Sequence, residues 1–381
     1  MDARANLTSD FESLSRGLPA DVAAHARERY GVDLTGRYAG CAIRVPFGKA
    51  SGQLSMTARE VESDAAAGLG FVVLKTLIAE DRAGERAMAA WAIHESGMKV
   101  EPIASRGGRA GWTVTWQGRG WDRSFQDYLA LYRDALEIGG GAGMTVAASV
   151  KYDLPGDDRP FRLDEYQHTT ARLAAIGGDA TIIEKDFSPT LAGDARARGR
   201  MAILRWLREV PQLIHQAGAR TVGLKLMNAL FDDAFQVAMV EAAGRSEADF
   251  LTCFNRLFDA ERGYAYGGWD LSDRNLRVLE QCAPLALPVS ATGNICSGRV
   301  MVAYAQRGAS SGQLHTFFQL PAEAYAARLA SRTASALHTL LYHPSDGLIA
   351  AMLDLADGGE LTPRGGLLHF LDIGERARSA A

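Results

Sequence analysis

Short apolar runs alternate along this chain with longer segments whose apolar residues recur at helical spacing. The short runs are typical of buried strands, and the longer segments are typical of amphipathic helices. Strand–helix units repeated in this way indicate a parallel sheet, and eight of them predict an α/β fold, the (β/α)8 TIM barrel. The eight predicted strands lie within 41–51, 71–76, 145–151, 180–188, 221–228, 250–258, 287–294 and 310–318.

Several helix positions follow from single residues. Thr57 and Glu60 form a capping box, which predicts a helix that starts at Thr57. Pro211 is expected to bend the helix after strand four, and Pro321 to open the helix after strand eight. The predicted domains are an N-terminal helical extension (1–36), the barrel (37–344) and a C-terminal helical extension (345–381).

The segment 77–120 is too long for an ordinary connection after strand two. It combines arginines, glycines and tryptophans, among them Arg106, Arg109 and Trp112. We interpret this insertion as a lid or substrate loop. The alternative is a small surface hairpin that seals the barrel or forms a dimer contact.

The composition argues against several classes of function. The chain has 41 basic and 45 acidic residues, so its charge gives no case for binding nucleic acid or an anionic membrane. Its four cysteines form no CxxC pair, which argues against zinc, an iron–sulfur cluster or a disulfide scaffold. We find neither a signal-peptide pattern nor a run near the ~20 apolar residues that span a bilayer. A cytoplasmic protein without a metal site is expected.

A phosphate site is predicted where strands seven and eight end. Gly293 and Asn294 form a turn just before a predicted helix, so backbone amides and the helix N-terminus could bind an anion there. His315 and Thr316 end strand eight, and in such barrels the loops after strands seven and eight commonly bind phosphate. The alternative is a plain tight turn.

Three lysines, Lys75, Lys185 and Lys225, follow buried apolar runs at the ends of strands two, four and five. A lysine there is seldom buried without a partner. A cation beside the pyrimidine edge of a flavin would stabilise the anionic reduced ring. The alternative is a structural lysine at the barrel mouth, paired in the case of Lys185 with Glu184 or Asp186.

Ser188, just past strand four, is the candidate for proton transfer. A serine hydroxyl is a poor base unless a neighbour or a water relay activates it. Lys185 is the rival base if burial lowers its pKa. Ser188 could instead cap a helix or a turn.

Small and amide residues at other strand ends suit a flat ligand. Ala50, Ser51 and Gly52 follow strand one and would let a planar ring approach the backbone closely. Asn228 and Asn255 end strands five and six and could hydrogen-bond the edge of a heterocycle. The strand ends therefore predict a site for a planar, phosphate-bearing cofactor.

In their order and spacing, these motifs resemble the dihydroorotate dehydrogenase family of FMN-containing (β/α)8 barrels. The resemblance covers roughly 41–340 and is carried by VPFGKASGQLSMT, FVVLKT, Ser188-Pro189, VGLKL, GYAYGG, ATGN with SGR, and RGASSGQLHT. It implies a catalytic base at Ser188 and FMN contacts at Ala50, Ser51, Lys75, Lys225, Gly293, Asn294 and Thr316. We add Asn255 and His315 to this cofactor set.

The chain departs from the family on the substrate side. The family's asparagine-rich loop after strand two is not visible in 77–120, and Lys185 and Thr190 stand where the family has asparagines around the base. His315-Thr316 replaces the family's Gly-Thr. The family uses serine in its membrane-linked class and cysteine in its soluble class, and this chain has the serine without the apolar N-terminal helices. The resemblance therefore implies FMN with a substrate other than dihydroorotate.

We expect an FMN-dependent oxidoreductase acting on a CH–CH bond of a small anionic substrate, with Lys75, Lys185, Asn228 and Asn255 on the substrate side. Its electron acceptor is unknown, and a homodimer is possible. Two alternatives stay open: a flavin-free barrel lyase or isomerase with a Schiff-base lysine at Lys185 or Lys225, and a non-catalytic barrel that binds flavin.

Overall fold

Eight parallel strands close into a barrel in sequence order, as predicted. The computed structural model describes residues 3–92, 98–116, 120–156, 159–187, 199–229, 231–259, 264–282 and 284–379. Strand pairing is parallel around the whole barrel and closes between the eighth strand and the first. The barrel strands are β1 Phe47–Lys49, β2 Phe71–Ile78, β3 Thr145–Lys151, β4 Ile182–Asp186, β5 Thr221–Met227, β6 Phe250–Asn255, β7 Val289–Thr292 and β8 Ala309–Leu314.

Helices surround the barrel and extend the chain at both ends. In the described part of the chain none of them is long and apolar enough to cross a membrane. The helices are α1 Ala3–Ser13, α2 Val22–Tyr30, α3 Ala58–Ala66, α4 Phe125–Ala142, α5 Leu163–Gly177, α6 Arg200–Gln216, α7 Asp233–Gly244, α8 Trp269–Gln281, α9 Gly298–Ala305, α10 Arg332–Tyr342, α11 Leu348–Asp357 and α12 Phe370–Ser379.

Two predicted element positions are confirmed. The Thr57 side chain accepts a hydrogen bond from the Glu60 amide, and the Glu60 carboxylate accepts from the Thr57 hydroxyl and the Met56 amide, so the capping box starts α3. Pro211 lies inside α6, and a bend of the helix at this residue stays a prediction.

Two other predicted positions are wrong. The first apolar run divides in two: Cys41–Ile43 forms an antiparallel hairpin with Gly36–Tyr38, and only Phe47–Lys49 joins the barrel. Pro321 does not open an α-helix, because its ψ of 148° is extended; it precedes a short 3-10 turn, and Ser331 caps α10 instead.

The hairpin at 36–43 plugs the amino-terminal end of the barrel. The Tyr38 ring stacks on Phe71 with 3.9 Å between the ring centroids and meets the edge of Phe250 at 5.2 Å. A Cβ on Gly48 or Gly223 would overlap the rings of Phe71 or Phe250, so glycine at these two strand positions makes room for the plug. The plug leaves the opposite, carboxyl-terminal end as the mouth of the barrel.

The two terminal extensions meet beside the barrel. The short strands Val32–Asp33 and Leu368–His369 pair in parallel, and His369 contacts the Asp33 carboxylate at 3.0 Å. The boundaries at residues 36 and 344 stay a prediction.

A buried ion pair fastens β1 to the helix layer. The Lys49 ammonium contacts the Asp64 carboxylate of α3, and the Thr333 hydroxyl of α10 donates to the same carboxylate at 2.7 Å. Burial raises the pKa of Asp64, although Lys49 and Thr333 oppose that shift. The carboxylate therefore depends on Lys49 for compensation of its charge.

Lys49→Met is expected to lower the free energy of unfolding by about 3–5 kcal/mol, since it leaves a buried carboxylate unpaired. The double variant Lys49→Met/Asp64→Leu is expected to lose less than the single variant, because it removes both charges. Urea unfolding measures both values. Glu209→Ala, which breaks the more exposed pair with Arg205, is the control and should change stability by no more than about 1 kcal/mol. A double variant as unstable as the single one would contradict this account.

Candidate active site at the barrel mouth

Five of the six lysines in this chain are buried, one on each of the first five barrel strands. The sixth, Lys99, is exposed on the insertion. Burying an ammonium group is costly unless it is paired, so a concentration of buried lysines needs anionic partners. The buried lysines are Lys49, Lys75, Lys151, Lys185 and Lys225, each at most 5% exposed.

Strand alternation divides these lysines between two faces. Successive residues of a strand point to opposite sides, so Glu184 and Asp186 share the interior face of β4 while Lys185 points outward. The Lys185 ammonium donates to the backbone carbonyls of Asp186 at 3.1 Å and Tyr152 at 3.4 Å. Burial, followed by the charge of Lys151, lowers the pKa of Lys185 to about 7. Its catalytic and substrate-binding roles stay predictions, and its ammonium lies away from the barrel interior.

Glu184 is the carboxylate inside the barrel. It accepts hydrogen bonds from the Tyr38 hydroxyl at 3.3 Å, the Thr252 hydroxyl at 2.7 Å and the Gln313 amide. Its other oxygen lies 3.6 Å from the Lys225 ammonium. Glu184 therefore connects the plug to the cationic mouth, a role that the sequence did not reveal.

Lys225 contacts polar side chains from three other parts of the barrel. Its ammonium lies 3.4 Å from both the Ser51 hydroxyl and the Gln313 side-chain oxygen. The Thr76 hydroxyl in turn contacts Ser51 at 3.3 Å. The structure thus brings together Ser51 and Lys225, two of the predicted cofactor residues.

A positive potential surrounds His315. Burial lowers the pKa of this imidazole well below its ordinary value, and the charges of Arg256, Lys75 and Lys225 lower it further. The Gln319 amide nitrogen lies 2.8 Å from His315 Nε2. His315 is therefore neutral at pH 7, and its surroundings favour an anionic ligand.

Several buried polar groups at this end have no hydrogen-bond partner within the part of the chain that the structure describes. Both ends of the Gln53 amide, and the Gln319 side-chain oxygen, are buried with no hydrogen bond inside the described part of the chain. A Cβ on the neighbouring Gly52 would lie 2.1 Å from His315 Nε2, so only glycine permits this close approach. Buried amides of this kind are normally satisfied by a ligand or a water. The donors and acceptors present fit a polar, anionic cofactor such as FMN.

The turn predicted to bind phosphate has two successive residues with positive φ. Gly293 has φ 112° and Asn294 has φ 52°, and the Asn294 side chain donates to the Ser272 hydroxyl at 3.0 Å. Ser297 caps α9 directly afterwards. Thr316 begins a 3-10 turn after β8, next to His315. Phosphate binding at these residues stays a prediction.

Asn228 and Asn255 lie close together, and both form hydrogen bonds within the protein. The Asn228 amide donates to the Asn255 carbonyl and to the Asn275 side chain, and it accepts from Arg274 at 2.7 Å. The Asn255 side-chain oxygen accepts from the Arg256 amide. These contacts tie together the loops after β5 and β6, and a ligand-binding role for the two asparagines stays a prediction.

Of the remaining predicted site residues, Ala50 lies at the junction of β1 and β8. The Ala50 amide donates to the Leu314 carbonyl at 2.9 Å, which joins the end of β1 to β8. Ser188 and Thr190 lie outside the described residues. The structure adds Lys151, Trp91 and Arg256 to the mouth, residues that sequence reasoning missed, and it pairs Asp186 with Lys151. Lys151 could have been found, since it ends β3 as Lys75 and Lys225 end their own apolar runs.

The insertion after β2 contains a hairpin, Met98–Ala104 paired with Ala110–Trp116, docked on the segment after β6. That segment forms a second, smaller hairpin, Leu257–Asp259 with Tyr264–Tyr266. The Gly267 amide donates to Thr113 at 3.0 Å, the Trp269 indole donates to the Ala110 carbonyl at 2.9 Å, and Arg256 donates to the Val114 carbonyl. Part of the insertion is therefore a hairpin, as the second interpretation of 77–120 predicted. Its function as a lid or substrate loop stays a prediction.

The chain thus has the fold class of a TIM barrel with a cationic mouth at the carboxyl ends of its strands. Among solved structures it is similar in fold to DHODH from Eimeria tenella in complex with ferulenol, with a TM-score of 0.60 and 12% identity over 98% of this chain and 95% of that one. The predicted resemblance is confirmed for the fold, since the chain forms a barrel like that of DHODH. No protein-family model and no curated protein matches the chain.

The neutral state of His315 has a consequence for stability. Below the unfolded-state pKa of about 6.5, the unfolded chain binds a proton at this position that the folded protein does not. The free energy of unfolding should therefore fall as the pH drops, by up to about 1.4 kcal/mol per pH unit from this residue. His315→Gln is expected to flatten that slope in urea unfolding between about pH 7 and about pH 5. Equal slopes for the two proteins would show that His315 titrates normally.

Proposed function

We propose that this protein is an FMN-dependent oxidoreductase acting on a CH–CH bond of a small anionic substrate. The observation that carries the proposal is the pair of buried lysines Lys75 and Lys225 at the barrel mouth, with the Lys225 ammonium 3.4 Å from the Ser51 hydroxyl, in a barrel with the fold of DHODH. Clustered buried cations in a mouth with unsatisfied amides favour an anionic, hydrogen-bonding cofactor.

Two groups of residues would hold the cofactor. Ala50, Ser51, Lys75 and Lys225 would contact its ring, with Asn255 nearby, while Gly293, Asn294, His315 and Thr316 would bind its phosphate. When bound, FMN supplies two-electron redox chemistry that amino-acid side chains lack. The protein's contribution is to fix Lys225 through Glu184 and Gln313, so that its charge is positioned before the cofactor binds.

Proton transfer is assigned to Ser188, because oxidation of a CH–CH bond also requires one carbon to lose a proton. Asp186, two residues earlier in the sequence, is the last residue of β4. Lys185 is the alternative base, and a pKa of about 7 suits that role. The outward direction of its side chain favours Ser188.

A first test is the visible absorption spectrum of the purified protein, with the released cofactor identified by mass. A flavin spectrum and the mass of FMN are expected. Lys225→Met should weaken FMN binding at least about 10-fold, because it removes a buried cation from the site. Lys99→Met removes the exposed lysine and should bind FMN like the wild type. A colourless protein that also fails to bind added FMN would contradict the proposal.

Ser188→Ala is expected to slow substrate-dependent flavin reduction by about 100-fold or more, since loss of a general base costs at least that much. Stopped-flow absorbance measures the rate once a reducing substrate is found among candidate acids. A rate within about threefold of the wild type would contradict the assignment.

The Schiff-base alternative also has one favourable observation, the lowered pKa of Lys185. Borohydride trapping of a substrate adduct on this lysine, in a protein without flavin, would support a lyase instead.

A further inference from the structure

A buried carboxylate joins α1 and α2, which we call the N-terminal helix pair. Asp10 of α1 accepts hydrogen bonds from the Arg29 guanidinium and the Tyr30 hydroxyl, both on α2 and both at 2.7 Å. The hydrogen bond from Arg29, followed by that from Tyr30, holds the pKa of Asp10 below its ordinary value, although burial opposes the shift. The two helices therefore stay joined in mild acid.

Two histidines lie where the N-terminal helix pair packs on α10. His338 of α10 stacks on the Phe11 ring of α1 with 4.6 Å between the ring centroids, and its Nε2 lies 2.9 Å from the Phe11 carbonyl oxygen. His25 of α2 lies edge-on to the Tyr342 ring of α10 at 5.8 Å, and its Nδ1 lies 3.4 Å from the Tyr342 hydroxyl. Each helix of the pair is thus joined to α10 through an imidazole.

The hydrogen bond to Phe11 fixes the protonation state of His338. A carbonyl oxygen only accepts hydrogen bonds, so Nε2 carries the proton and donates it. The other ring nitrogen, Nδ1, is buried and has no hydrogen-bond partner in the part of the chain that the structure describes, and the whole residue is only 1% exposed. A second proton on this ring would place a charged donor where no acceptor lies, which is costly.

The surroundings of His338 offer no negative charge to offset that cost. Burial lowers the pKa of His338, and the hydrogen bond to Phe11 opposes the shift only in part. Among the described residues, the charged group that acts on it is His343, which lowers the pKa further. His343 also meets the edge of the Phe11 ring at 5.2 Å. Protonation of His338 therefore opposes its contact with α1.

His25 has mixed surroundings by comparison. Burial lowers its pKa as well, but nearby charges act on it in both directions, those of Asp10, Arg29 and Glu28. The two carboxylates raise the pKa and the guanidinium lowers it. Protonation of His25 therefore opposes docking less than protonation of His338 does.

Two other contacts of the N-terminal extension involve carboxylates. Directly after α2, the Asp33 carboxylate contacts His369 at 3.0 Å, and a proton on that imidazole strengthens the attraction. The chain after α2 therefore stays attached in acid, and only residues 3–30 can leave. Arg4 of α1 forms an ion pair with Asp354 of α11, but both side chains are exposed, so this pair stabilises docking only weakly.

We propose that the N-terminal helix pair is an acid-sensitive element that is released from α10 when His338 is protonated. Below a pH of about 6.5, the released pair binds a proton at this histidine that the docked pair does not, so docking is fully stable above that pH and weakens as the pH falls. Release uncovers the packed rings of Tyr30 and Tyr342, which are at most 5% exposed when docked. In mild acid the protein then presents an apolar surface that it covers at neutral pH.

The test is hydrogen exchange of the purified protein, followed by mass spectrometry at about pH 7.5 and about pH 5.5 and corrected for the intrinsic exchange rate. Through His338 alone, protection of α1 and α2 should fall up to about 10-fold between these two pH values. His338→Gln keeps a donor for the Phe11 carbonyl but cannot titrate, so it should lose most of this pH dependence. His168→Gln on α5 is the matched control and should follow the wild type.

Two measurements on the wild type decide the question even if His338→Gln does not fold. An NMR titration of the His338 imidazole should give a pKa below that of a histidine in the unfolded chain, and fluorescence of a dye that binds apolar surfaces should rise in mild acid. An ordinary titration of His338 overturns the proposal. So does equal pH dependence of α1 and α2 protection in the wild type and a folded His338→Gln variant.

Discussion

The buried carboxylate of Glu184 organises the interior of this barrel. It accepts a hydrogen bond from Tyr38 at the plugged end and from Thr252 and Gln313 on β6 and β8, and it faces Lys225 on β5. A buried carboxylate is tolerated only when such partners surround it. Because Glu184 also contacts Lys225, the interactions that compensate its charge hold the Lys225 ammonium in position at the barrel mouth.

The barrel could be predicted because strand and helix periods repeat clearly along the chain. β3 was predicted with its observed bounds, and β5 within one residue of them. The predictions of the first strand and of the start of the helix after β8 were wrong, in both cases because of tertiary structure. An apolar run at 41–51 is shared between a plug hairpin and the barrel, and Pro321 fixes only its own φ, leaving ψ to the surrounding chain.

The site could be predicted only in part, because the sequence indicates where each strand ends but not which of its side chains point into the barrel. In β4, Glu184, Lys185 and Asp186 are consecutive polar residues, and a one-residue change of register exchanges the side chains that enter the barrel. The sequence favoured Lys185, whereas the hydrogen bonds of Glu184 place Glu184 and Asp186 on the interior face and Lys185 on the outer face. Trp91 ends a 3-10 turn of the insertion, Ala89–Trp91, which is too short to show a period that would indicate what Trp91 contacts.

The distribution of lysine has a chemical consequence of its own. Arginine supplies nearly all the basic surface, and the buried ammonium groups of β1–β5 leave Lys99 as the one exposed lysine. Among the lysines, amine-directed reagents will therefore label Lys99 first in the folded protein. The five strand lysines react only when the barrel opens transiently, so their slower labelling rate would measure the frequency of that opening.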